Sequence, residues 1–175
     1  MNLANKLTLL RVILIPVFVI VLYAGFPYSN YLALIIFAAA SLTDFLDGYI
    51  ARSRNLVTDF GKFMDPLADK ILVMTAMIMF VSWNQMPAWV FAIVLARELA
   101  VSGLRMIAAT DGKVIAAAWS GKVKTAATMV CIILMLLPIP SLLNTICWIV
   151  ILVTTVYSGI EYFIKNKHVI DWSNL

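Results

Sequence analysis

Apolar runs of about 20 residues, the length that carries a helix across a bilayer, recur along almost the whole chain. They fall at roughly 8–24, 31–52, 62–83, 87–109, 123–138 and 142–164. Of the 175 residues 63% are hydrophobic and 13% charged, and the mean hydropathy is +0.99, which excludes a soluble globular domain. The expected fold is an all-α membrane protein with six transmembrane helices in a single domain, residues 1–175.

The connections at 25–30, 84–87 and 138–141 contain no charge. Lys6, Arg11, Arg52, Arg54, Lys62, Lys113, Lys122, Lys124, Lys165 and Lys167 lie at or near the opposite ends of the apolar runs. Lys and Arg accumulate on the cytoplasmic side of short loops, so both termini are expected in the cytoplasm, in a multi-pass cell-membrane protein. The net charge of +4 is therefore read as topology plus attraction to anionic headgroups, with no nucleic-acid partner expected. An N-terminal signal peptide would place Leu22 three before a cut after Ala24, where a small residue is needed, so an uncleaved first span is expected. Cys131 and Cys147 fall inside apolar runs and read as small packing residues, and His168, the only histidine, as a solvated tail residue.

Against that background the stretch DFLDGYIARSRNLVTDFGKFMDPLAD, residues 44–69, stands out. Asp44 and Asp47 are three apart and Asp65 and Asp69 four apart, so each pair shares a helix face. Four uncompensated carboxylates at membrane depth would cost on the order of 10 kcal/mol, which requires something cationic beside them. Gly48 and Ala51 share the face of the first pair, and Gly61 precedes the second at the same four-residue spacing. Residues of so little bulk let a ligand approach the backbone. If the two helices are antiparallel neighbours, four carboxylates surround one small volume. Pro66 places the regular start of the second helix just before it, or a kink there. Pro16 is expected to kink the first span.

Oxygen donors without nitrogen or sulfur select Mg²⁺, Mn²⁺ or Ca²⁺ rather than structural zinc. Two divalent ions would balance four carboxylates, and Mg²⁺ keeps open positions that suit phosphate or diphosphate. Paired ions can stabilise both ends of a phosphoryl displacement, leaving a carboxylate to take the attacking hydroxyl's proton. Arg97 and Arg105, about 80° apart on one helix, and Lys122 and Lys124 at a helix start form a second basic set suited to another anion. Arg97 and Glu98 also admit a simpler reading, mutual neutralisation. Gly121-Lys122 is not a P-loop, because Val123 replaces the required Ser or Thr. Asn5, Thr8 and Arg11 gather polar groups on one side of the first helix; taken alone they read as a cap with a snorkelling arginine.

The pattern D-x-x-D-G-x-x-A-R, eight residues, then G-x-x-x-D-x-x-x-D is matched at every specified position by Asp44, Asp47, Gly48, Ala51, Arg52, Gly61, Asp65 and Asp69. It resembles the signature of the CDP-alcohol phosphotransferase family. The segments NKLTLLR, RELAVSGLR and SGKVKTA extend the resemblance toward the bacterial branch that uses sn-glycerol 3-phosphate as acceptor. The resemblance implies a homodimeric membrane enzyme that joins CDP-diacylglycerol to glycerol 3-phosphate and releases CMP. Its site would lie at the cytoplasmic helix ends. By the same resemblance Asp44, Asp47, Asp65 and Asp69 would hold Mg²⁺ or Mn²⁺, as two ions, with Asp69 also the general base. Asn5, Thr8, Arg11, Asp44, Asp47, Gly48, Ala51, Arg52, Thr58 and Gly61 would meet the CDP-diacylglycerol. Arg97, Arg105, Lys122 and Lys124 would hold the acceptor phosphate. Inositol phosphate or phosphatidylglycerol are the alternative acceptors. An ion or proton transporter is the rival class, disfavoured because the acids cluster at one face and no internal repeat is visible.

Overall fold

The computed structural model describes residues 3–53, 59–110, 115 and 118–169, with the side chains of 3–8, 44–53, 59–63, 65–66 and 168 outside the described set. The helices are α1 (Leu3–Ala24), α2 (Ser29–Ser53), α3 (Asp59–Ser82), α4 (Ala88–Thr110), α5 (Trp119–Met135) and α6 (Ser141–Lys165), followed by a 3₁₀ turn at Lys167–Val169. No strand occurs among the described residues. Local chemistry sets several boundaries. Gly25 follows α1 at φ 59° and Asn84 follows α3 at φ 57°, the left-handed conformation that commonly terminates helices. Pro138 disfavours helix at the residue before it, and α5 stops at Met135.

These boundaries agree with the apolar runs to within a few residues, with two instructive departures. Helix α5 begins at Trp119, ahead of the expected 123, because Gly121 and Lys122 both donate backbone bonds to the Ala118 carbonyl, at 3.1 and 3.4 Å. Helix α3 begins at Asp59, seven residues before Pro66. A proline removes one intrahelical donor, and here the helix runs on through it. Helix α1 likewise continues through Pro16.

The chain divides into two compact units, Met1–Phe80 with Ile132–Ile139, and Val81–Cys131 with Pro140–Leu175. In the first, α1 and α2 are antiparallel partners. Arg11, Ile15, Phe18 and Leu22 recur at helical spacing along α1 and are buried, as are Ala33, Phe37 and Ala40 on α2. Phe18 and Phe37 meet at 6.0 Å between ring centroids with a tilt of 44°. Helix α3 has its own buried stripe of Ala68, Leu72, Val73, Ala76, Met77 and Phe80.

In the second unit α4 packs on α6. Val90, Val94, Val101, Leu104 and Ala108 line the buried side of α4, and Cys147, Ile151, Thr155, Ser158, Gly159 and Tyr162 that of α6. Val101, Leu104, Ala108, Tyr162 and Val169 form one core cluster. At the far end Trp89 and Trp148 pack edge to face at 6.2 Å, and Asn144 Nδ2 donates to the Gln85 carbonyl at 2.5 Å.

Every helix also keeps large aliphatic residues exposed: Ile20, Ile35, Ile78, Leu99, Val130 and Ile160, in chain order from α1 to α6. Such contiguous apolar surface is the kind that a lipid or protein partner covers. Among the described residues one helix, α6, is both long and apolar enough to cross a membrane; Leu9–Ala24 and Ser29–Thr43 are shorter apolar stretches. Charged residues lie along two further helices, Asp59, Asp65 and Asp69 on α3 and Arg97, Glu98 and Arg105 on α4.

Candidate active site

The acidic motif rides on two uninterrupted helices. Backbone helix runs from Ser29 to Ser53 and from Asp59 to Ser82, so the spacings of Asp44 with Asp47 and of Asp65 with Asp69 are helical spacings. Gly48, Ala51, Arg52 and Gly61 lie on the same helices. Thr58 falls outside the described residues, as do the side chains of Asn5, Thr8, Asp44, Asp47, Ala51, Arg52 and Asp65. Asp69 is partly buried. At 100° per residue it lies within about 40° of Val73, Ala76 and Phe80, so it belongs to the packed stripe of α3 rather than to its exposed side. Asp65 shares that register, one turn earlier.

Arg11 departs from the expectation of a snorkelling residue. It is wholly buried, and its Nε donates to the Ala40 carbonyl at 3.4 Å. The same carbonyl accepts Thr43 Oγ1 at 2.7 Å. Arg11 continues the buried stripe of Ile15, Phe18 and Leu22, which turns it toward α2 instead of toward water. Its guanidinium is thereby held one helical turn ahead of Asp44. A buried cation at that level is the charge type that an acidic pair or a diphosphate requires. Among the described residues no three His, Cys, Asp or Glu side chains gather into a metal-binding group.

The second unit places the basic residues unequally. Arg97 sits in the middle of the buried stripe of α4, where its Nη1 donates to Glu98 Oε1 at 2.8 Å and its Nη2 to Ser158 Oγ of α6 at 3.0 Å. Lys124 of α5, which is buried, donates to the same Glu98 oxygen. Two cations thus share one carboxylate oxygen, the three side chains being only 7–13% exposed. Arg105 is exposed and stands apart, its Nε donating to Tyr162 Oη at 2.9 Å and its guanidinium 5.5 Å from that ring's centroid. Lys122 is exposed and lies over Trp119, 5.8 Å from the ring centroid. Of the four expected phosphate-binding residues, Arg97 and Lys124 are brought together, while Arg105 and Lys122 each rest on an aromatic residue.

Ser158 and Tyr162 are the residues that sequence reasoning missed, whereas the pairing of Glu98 with Arg97 was among its readings and is found. Glu98 was visible as a neighbour of Arg97, but not as the hub for Lys124. Ser158 and Tyr162 lie 61 and 57 positions from their arginine partners, and no local pattern joins residues so far apart.

A family model described as CDP-alcohol phosphatidyltransferase matches residues 1–157. The chain belongs to the CDP-alcohol phosphatidyltransferase family. Within it, a Bacillus subtilis protein named CDP-diacylglycerol–glycerol-3-phosphate 3-phosphatidyltransferase is 42% identical over 192 aligned positions, covering 99% of both chains. An Escherichia coli K12 protein of the same name is 46% identical over 136 positions, 74% of this chain and 73% of its own. The family match takes in both acidic helices and the Arg97, Glu98 and Lys124 cluster. Ser158 and Tyr162 lie just past its end at residue 157.

Proposed function

We propose that this chain transfers the phosphatidyl group of CDP-diacylglycerol to sn-glycerol 3-phosphate, giving phosphatidylglycerophosphate and CMP in phospholipid biosynthesis. The observation that carries this reading is the 42% identity over 99% of both chains to a relative named for that reaction. The motif supports it independently, because two acidic pairs at helical spacing, with a buried arginine held one turn before the first of them, suit a nucleotide diphosphate better than a transported ion. The family model spans parts of both compact units, which supports reading 1–175 as one catalytic domain.

In this reading the glycerol 3-phosphate hydroxyl oxygen bonds to the phosphorus that carries diacylglycerol. The bond from that phosphorus to the CMP oxygen breaks, and the hydroxyl proton passes to the Asp69 carboxylate. Asp44, Asp47, Asp65 and Asp69 offer only oxygen donors, which fits Mg²⁺ or Mn²⁺, and two ions would match their charge. Bound there, such ions would polarise the diphosphate oxygens and stabilise the charge that develops on the departing CMP. Asn5, Thr8, Arg11, Gly48, Ala51, Arg52, Thr58 and Gly61 are assigned to the CDP-diacylglycerol. Arg97 and Lys124 are assigned to the acceptor phosphate, with Arg105 and Lys122 as its outer members.

The donor stays in the bilayer while the acceptor and CMP are water-soluble. A site at cytoplasmic helix ends of a six-span bacterial inner-membrane protein, with both termini inside, suits that division. A homodimer follows the same family reading, and a detergent-corrected mass of one chain would refute it. The function itself is tested by CMP release from purified protein in lipid–detergent micelles. Release is expected with glycerol 3-phosphate, to stop with EDTA, and to return with Mg²⁺ or Mn²⁺. Release only with inositol phosphate would overturn the acceptor, and release unaffected by EDTA would overturn the metal assignment.

A further inference from the structure

A buried lysine and a half-buried arginine converging on one carboxylate oxygen are an unusual way to build an anion site. Arg97 Nη1 and Lys124 Nζ both donate to Glu98 Oε1, so the two positive charges are within two hydrogen bonds of each other. Without an anion between them, they would repel at a depth where water screens little. Glu98 removes that repulsion yet leaves the cluster one positive charge in excess. The geometry also fixes direction. Consecutive residues on a helix do not face each other, so Arg97 must reach round α4 to meet Glu98.

On its other side the arginine is held by α6. Nη2 donates to Ser158 Oγ at 3.0 Å, and a Cβ added at Gly159 would come within 3.1 Å of Arg97 Cγ. The helix therefore approaches the arginine stem closely enough that a side chain there would push it aside by a few tenths of an ångström. One donor of the guanidinium, Nε, is buried without a hydrogen-bond partner among the described residues. A desolvated cationic donor left unpaired is costly, and an anionic oxygen is the partner that would satisfy it.

We propose that Glu98, Ser158 and Gly159 are positioning residues that set Arg97 and Lys124 as a preformed receptor for the phosphate of the acceptor. The inference rests on the assignment of Arg97 and Lys124 to that phosphate. Glu98 acts through the two cations and touches no reacting atom. Ser158 and Gly159 lie beyond residue 157, where the family match ends, so the orientation of this arginine is set by a part of α6 outside the matched segment. The opposite role is physically distinct: a Glu98 that merely competed with the ligand for Lys124 would weaken acceptor binding, and its neutralisation would strengthen it.

The test is steady-state CMP release by the full-length enzyme, varying glycerol 3-phosphate at saturating CDP-diacylglycerol and then the reverse. Glu98→Gln is expected to raise the acceptor KM about tenfold while moving the donor KM less than about twofold, and Glu98→Asp to recover part of the loss. Ser158→Ala and Gly159→Ala are each expected to raise the acceptor KM about three- to tenfold, again with little change for the donor. An acceptor KM that falls or stays unchanged in Glu98→Gln overturns the proposal. If that variant does not fold, an unchanged acceptor KM in both α6 variants overturns it, since they leave Glu98 and Lys124 in place. Lys124→Ala separates the underlying assignment. An unchanged acceptor KM there refutes the phosphate site itself, whereas a raised value beside an unaffected Glu98→Gln refutes only the positioning role.

Discussion

A group that takes a proton from an alcohol must be held still, and for Asp69, the proposed base, the element beneath it would supply that hold. It shares the α3 stripe with Val73, Ala76 and Phe80, which packing immobilises. Asp69→Asn keeps the shape and removes the proposed base, so CMP release should fall about 10²–10⁴-fold while the thermal unfolding temperature stays within a few degrees. More than about a tenth of wild-type activity in the folded variant would remove Asp69 from the role. At this scale the acidic register was legible because helical spacing alone puts Asp65 and Asp69 on one face. The burial of Arg11 was not. Its spacing from Asn5 and Thr8 describes a polar side equally well for a cap in water and for a contact with α2. Only the continuation of that side through Ile15 and Phe18 into packed α2 decides between them.

Among the elements, α1 and α2 form the pair that carries Arg11 and the first two aspartates. Their contact is centred on Phe18 and Phe37, both 0% exposed. Phe37→Ala should therefore cost about 3 kcal/mol of stability, read as a lower midpoint for thermal unfolding in detergent. Substitution of the exposed Ile35 by Ala should change the midpoint far less. Equal shifts would mean that the two helices are not packed through this ring pair. Helix positions were legible from apolar length, since charge-free turns and Pro138 punctuate them. The start of α3 was obscured by Pro66, whose missing donor costs one bond that a long helix can forgo. The pairing of Arg97 with Ser158 and of Arg105 with Tyr162 was not legible, because it depends on which helix α4 packs against.

For the molecule as a whole, exposed aliphatic surface on all six helices and uncharged connections at alternate turns give the orientation a direct check. In a background lacking Cys131 and Cys147, Asn84→Cys should react with a membrane-impermeant maleimide from outside intact cells, and Lys113→Cys only after permeabilisation. The reverse pattern would invert the proposed topology. The reaction itself is tested most directly by following labelled glycerol 3-phosphate with the purified chain, CDP-diacylglycerol and Mg²⁺. The label should move into chloroform-extractable phosphatidylglycerophosphate with one CMP formed per labelled lipid, and Asp69→Asn should abolish both. Label that remains in the aqueous phase, in a folded protein supplied with both substrates and metal, would refute the assigned transfer.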